Sequence, residues 1–129
     1  MAEQHLDTER AWQLVLDAVN RSNVSLSLPG SEQPAIRLNG HGWQLLNEAT
    51  RDARDVLELF LPLCRPVGDA DFPRVIAQLG QSLDGRIATV TGCSRFINGD
   101  DGITHLHRIR AVSDAVVVGA GTAVADNPR

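Results

Sequence analysis

The stretch Asp114-Ala115-Val116-Val117-Val118-Gly119-Ala120-Gly121-Thr122 decides the fold. Its continuous apolar run suits a β-strand covered on both faces. Just upstream, residues 101–110 read as a helix with Ile103, Leu106 and Ile109 on one side. Earlier still, residues 75–79 are a strand candidate and residues 87–91 extend that region. Strand, helix and final apolar strand form a βαβ pattern, which predicts a parallel pair and an α/β fold.

Loops at the carboxyl ends of parallel strands are where open α/β sheets bind ligands. Here that place is held by Gly119, Ala120, Gly121 and Thr122. Two glycines let a backbone approach a phosphate, and Thr122 adds a hydroxyl donor. Read alone, the segment serves equally as a tight exit from a strand. Val124 stands where a Rossmann fingerprint needs Gly or Ala, and Asp126-Asn127-Pro128 ends any helix early. Two further clusters, residues 80–85 and 91–96, are rich in glycine and small hydroxyls, and by residue type favour turns. Arg108 and Arg110 near a helix end either complement the helix dipole or form a fork for a phosphate or carbonyl.

The N-terminal half has a different texture. Asp7 and Thr8 begin a helix predicted over residues 8–20, with Ala11, Trp12, Val15, Leu16 and Val19 at helical spacing. Residues 24–28 alternate as a half-buried strand, Pro29-Gly30 is a turn, and residues 35–38 form a second short strand stopped by Asn39-Gly40. Residues 43–46 are ambiguous. A second helix is expected from Asn47 or Arg51 to Leu61, ended or bent by Pro62. Residues 65–72 read as a linker, so the chain is expected to comprise a mixed α+β extension at 1–64 and a second unit at 73–129. Trp12 and Trp43 are expected to anchor a core.

Composition excludes several chemistries. The 129 residues carry 12 basic and 16 acidic side chains, a net charge of −4, which disfavours binding a nucleic-acid backbone. Every basic residue is Arg, and Tyr is absent. Lysine Schiff bases, P-loop lysines and Tyr–Lys relays are therefore outside this chain's reach. Cys64 and Cys93 are too few for a disulfide framework, and no signal peptide or membrane span is evident, so a cytoplasmic protein is expected. His105 and His107 lie about 200° apart around a helix, so no metal site is expected.

Residues 73–129 resemble the pyrimidine reductase domain of riboflavin biosynthesis, in many bacteria the C-terminal half of a bifunctional deaminase–reductase. The resemblance rests on residues 81–88 (Gln-Ser-Leu-Asp-Gly-Arg-Ile-Ala), 91–94 (Thr-Gly-Cys-Ser), 105–111 (His-Leu-His-Arg-Ile-Arg-Ala), 114–122 and 125–128 (Ala-Asp-Asn-Pro), in the family's order and spacing. It implies a dihydrofolate-reductase-like fold, here incomplete, and NADPH as hydride donor. The implied substrate is a ribosylaminopyrimidine, usually 5′-phosphorylated, whose ribose is reduced to a ribityl chain. Gly80, Phe96, Gly119, Gly121, Thr122 and Asp126 are the implied cofactor contacts, and Ser82, Ser94 and Arg110 the substrate contacts. Ser82 and Asp84 shape the pocket, and Asp84 or Asp126 orients the water that protonates the opening ribosylamine, with Asp84 taken as the catalytic candidate. A homodimer is the partner the family suggests.

The chain departs from the family in four ways. Phe96 replaces a common Trp, and Gln78 stands where Lys is common. The first 64 residues lack the His-x-Glu and Pro-Cys-x-x-Cys pattern of the deaminase. The family also continues well beyond the Asp-Asn-Pro turn, so a fragment of a longer product is expected, inactive unless completed. The alternatives are a reductase of another heterocycle, or a non-catalytic interaction protein with a decayed reductase half.

Overall fold

The computed structural model describes residues 5–66, 73–93 and 97–127, without the side chain of Asp126. The chain divides into two compact units, Met1–Ala77 and Gln78–Arg129.

In the first unit, helix α1 (Thr8–Ala18) and helix α2 (Arg51–Cys64) start from one pinned point. Leu6 and Ala49 form a parallel bridge, with Leu6 N–H donating to Glu48 O at 3.0 Å and Thr50 N–H to Leu6 O at 3.0 Å. Each helix is then capped by its own side chain. Asp7 accepts from Arg10 N–H at 2.9 Å, and Thr50 accepts from Ala53 N–H at 3.2 Å. These bonds satisfy amides that the first turn leaves without an intrahelical partner. The apolar stripes meet: Ala11, Leu14, Val15 and Ala18 of α1 and Ala53, Leu57, Phe60 and Leu61 of α2 are buried. Trp12 stands edge-on to Phe60, ring centroids 5.3 Å apart, but both it and Trp43 are only half-buried, so neither is one of the buried core residues expected of them.

Three antiparallel strands cover the unit in the order β1 (Ser25–Ser27), β2 (Pro34–Asn39) and β3 (Gly42–Leu45). Gly30, at φ +77°, supplies the left-handed residue that the Pro29-Gly30 turn requires. Asn39 closes the next hairpin with its side chain: Oδ1 accepts from His41 N–H at 2.9 Å and Gly42 N–H at 2.7 Å. The ambiguous residues 43–46 resolve as a strand because Leu38 finds Trp43, and Ile36 finds Leu45, across the ladder. Ala35, Ile36 and Leu38 are buried.

Two boundaries differ from the sequence reading. Helix α1 stops at Ala18, and Asn20 turns left-handed at φ 57°. Helix α2 runs through Pro62 to Cys64. Proline near a helix end removes one N–H and leaves the last carbonyls to find outside donors. Arg74 supplies them, its Nη1 donating to Pro62 O at 2.7 Å and Leu63 O at 3.1 Å, while Asn20 N–H reaches Cys64 O at 3.0 Å. Arg65 donates to Gly40 O. Of the expected linker, residues 67–72 lie outside the described residues.

The second unit holds helix α3 (Asp100–Ala111) and helix α4 (Ala120–Asp126). Helix α3 confirms the reading of residues 101–110. Two acidic residues in its first turn and Arg108 and Arg110 in its last match the helix dipole. The predicted parallel βαβ pair is corrected: residues 75–79, 87–91 and 115–118 form no strand among the described residues. Val116, Val117 and Val118 are 48, 96 and 40% exposed, so the run that reads as doubly covered is only partly covered by the described chain. A strand exists only with a ladder partner, and a parallel one must come from far along the chain. Residues 120–122, read as a loop, are the first turn of α4.

Candidate functional site

The two glycine-rich clusters upstream of α3 include turns of one design. In residues 82–86, Ser82 N–H donates to Arg86 O at 2.9 Å and Gly85 N–H to Ser82 O at 2.9 Å. In residues 89–93, Thr89 N–H donates to Cys93 O at 2.8 Å and Gly92 N–H to Thr89 O at 2.9 Å. The hydroxyl at the head of each turn accepts from the amide at its foot, Arg86 to Ser82 at 3.1 Å and Cys93 to Thr89 at 3.0 Å. Gly85 and Gly92 sit at φ +80° and +84°. This is a three-residue hairpin loop whose last residue must be left-handed, which selects glycine. The signal was present in the sequence as a hydroxyl residue followed three positions later by Gly, repeated after seven residues.

Asp84 is held inside the first turn. Its Oδ1 accepts from Ser82 Oγ, and its Oδ2 lies 3.2 Å from Arg86 Nε. The Ser82 hydrogen bond, with smaller help from the backbone and Arg86, lowers its carboxyl below the ordinary aspartate value. Asp84 is therefore an anion near neutral pH, able to accept a proton or orient a water but not to donate. Arg86, which sequence reasoning did not single out, is its counter-ion.

Gly80 is half-buried, and a Cβ placed on it would overlap the Asn98 carboxamide, with Cγ at 2.6 Å. Gly119 and Gly121 are different. A Cβ on Gly121 would meet nothing within 4 Å, and one on Gly119 only Thr122 Oγ1 at 3.9 Å. Both are exposed, and the first turn of α4 carries no acidic side chain. Residues 119–122 thus present open backbone that an anionic group can approach without displacing anything.

The structure brings Ser82 and Asp84 together, and places Thr122 beside Gly119. Among the described residues, no hydrogen bond or ion pair joins residues 80–86 to residues 119–122. Arg110 lies in the last turn of α3. Ser94 and Phe96 lie outside the described residues, as does the side chain of Asp126. Among the described residues no group of three His, Cys, Asp or Glu could hold a metal, and no helix is long and apolar enough to cross a membrane.

Residues 73–129 match the family described as the RibD C-terminal domain. A stretch of 57 residues is 44% identical to the 2,5-diamino-6-ribosylamino-4(3H)-pyrimidinone 5′-phosphate reductase of Methanothermobacter thermautotrophicus, covering 44% of this chain and 26% of that protein. The Kluyveromyces marxianus protein of the same name is 37% identical over 78 residues, 60% of this chain and 31% of the relative. The riboflavin biosynthesis protein RibD of Aquifex aeolicus is 27% identical over 121 residues, 87% of this chain and 33% of the relative. That last match necessarily reaches into the first unit. The chain thus spans a third or less of the length of these relatives. No solved structure matches it.

Proposed function

Taking the match of residues 73–129 to the RibD C-terminal domain as premise, we propose that this chain is part of an NADPH-dependent pyrimidine reductase of riboflavin biosynthesis. That match carries the reading. The substrate is a phosphorylated ribosylaminopyrimidine, by analogy with the compound named for the relatives. The fold is dihydrofolate-reductase-like, the protein cytoplasmic, and the partner a second copy.

The residues present fit a dinucleotide. The open backbone at Gly119 and Gly121, with the Thr122 hydroxyl beside it, would hold the pyrophosphate. When bound, the nicotinamide supplies the hydride, and the protein's task is to place it against the sugar carbon. Gly80, Phe96 and Asp126 are the further cofactor residues of this proposal, and Ser82, Ser94 and Arg110 contact the substrate. Asp84, locked by Ser82 and Arg86, keeps a negative charge and orients water at the opening ribosylamine. The exposure of residues 116–118 supports the view that this run becomes a strand only against a partner segment, from more chain or a second copy, and that the 129 residues alone are inactive.

Hydride transfer tests the reading. The chain, within the longest product of its reading frame, should consume NADPH absorbance when given the aminopyrimidine phosphate. Gly121→Val should weaken NADPH binding by about tenfold or more, since a branched side chain fills the open approach. Bound NADPH without turnover on any ribosylaminopyrimidine would overturn the assigned reaction.

A further inference from the structure

Asn98 is half-buried between two glycines distant in sequence. A Cβ on Gly80 would strike its Oδ1, Nδ2 and Cγ, the last at 2.6 Å. A Cβ on Gly102, in the first turn of α3, would stand 3.0 Å from Asn98 Cβ and 3.5 Å from its Cγ. Real Cβ atoms essentially never come within 3.0 Å of another heavy atom. The φ of Gly80 is not among the left-handed ones that demand glycine, so what a side chain there would meet is the end of the Asn98 side chain, which would have to move aside. The Asn98 side chain fills the place a Gly80 side chain would take, and its base is pressed against Gly102.

We propose that Asn98 is a positioning residue, a spacer that seats the segment at Gly80 against the start of α3 and so sets how tightly the nucleotide is held. The inference rests on the proposed reductase reading for its ligand, and on the Gly80–Asn98–Gly102 stack for its geometry. An alanine at Gly80 must expel the Asn98 amide. An alanine at Asn98 empties the same volume from the other side. Either change releases the segment, and making both releases nothing further.

The test is a double-mutant cycle on Gly80→Ala and Asn98→Ala in the full product, read by NADPH affinity and by amide hydrogen exchange at residues 79–82. Each single variant should raise the KM for NADPH about tenfold while leaving the KM for the pyrimidine unchanged. The double variant should be no worse than either single one, because the two changes break one contact. Exchange at residues 79–82 should quicken equally in all three, with the melting temperature held. Additive losses, or NADPH affinity unchanged in Asn98→Ala, overturn the proposal. If the parent protein binds no NADPH, the reductase reading fails on its own. The spacer is then judged by exchange: equal acceleration in the three variants sustains the seating of Gly80, and none refutes it.

Discussion

The two units use apolar residues in opposite ways. In the first, Leu6, Leu14, Ile36, Leu57, Phe60 and Leu61 are all within 2% of complete burial. In the second, Val90, Val117 and Val124 stand almost fully exposed, and α3 buries no residue. Hydrophobic pattern alone does not explain the difference, since both halves contain good strand runs. What separates them is the distance to a partner. Strands β1, β2 and β3 pair with their immediate neighbours across short turns. The run at residues 115–118 reads as a parallel strand, and parallel strands need partners that no short turn can supply.

Core truncation should give the largest effect. Phe60→Ala removes the ring that Trp12 packs against and should destabilise the first unit by about 3–5 kcal/mol in denaturant unfolding. Val117→Ser, at an exposed site, should change stability by less than about 0.5 kcal/mol. Equal losses from the two would break the contrast drawn here.

Alkaline pH sharpens it next. Burial pushes the Cys64 thiol from 9.0 up to about 11, with the Arg74 charge offsetting part of the rise. The raised folded value means that the unfolded state loses its proton first. Stability is therefore full below about pH 9 and falls until the pH reaches about 11, by roughly 2–3 kcal/mol. The chain has no Lys or Tyr to titrate in that window, so Cys64→Ala should flatten the profile. An unchanged slope in that variant would show that the buried thiol is not its source.

Helix capping comes third. Thr50→Ala removes the acceptor for Ala53 N–H and should cost about 1 kcal/mol, seen as a lower unfolding midpoint with the same slope. Smallest is Ser82→Ala in the second unit. Losing the hydroxyl should return Asp84 toward the ordinary aspartate value, followed by NMR titration. The sign is that of a carboxylate lowered by folding: its support for the turn is present at neutral pH and fades as acid protonates it. No movement of the Asp84 titration would mean that the hydroxyl does not hold the anion.

Much of the local structure was legible in the residues. Asp7 marked a helix start, and Pro29-Gly30 and Asn39-Gly40 marked turns, because capping and turn chemistry act within a few residues. Gly119 and Gly121 have open space beside them, but at the start of α4 and not in the loop after a parallel strand for which they were singled out. Gly80 was named as a cofactor contact only through the family resemblance, and in the fold a side chain there would meet Asn98, a residue 18 positions away. The helix was read as ended or bent at Pro62 and instead runs on to Cys64, because the donor that serves its last carbonyls, Arg74, lies 12 residues downstream.

Composition and short-range pattern by themselves determined the Asp7 cap, the turns, the buried face of α2 and the absence of lysine or tyrosine chemistry, since each depends on neighbours along the chain. Only the tertiary structure decided that residues 43–46 are a strand while 115–118 are not, that Asp84 is tied to Arg86, and that Asn98 fills the space beside Gly80. The physical reason is that ladder pairing and exclusion of volume belong to pairs of segments, and a single segment does not carry the identity of its mate.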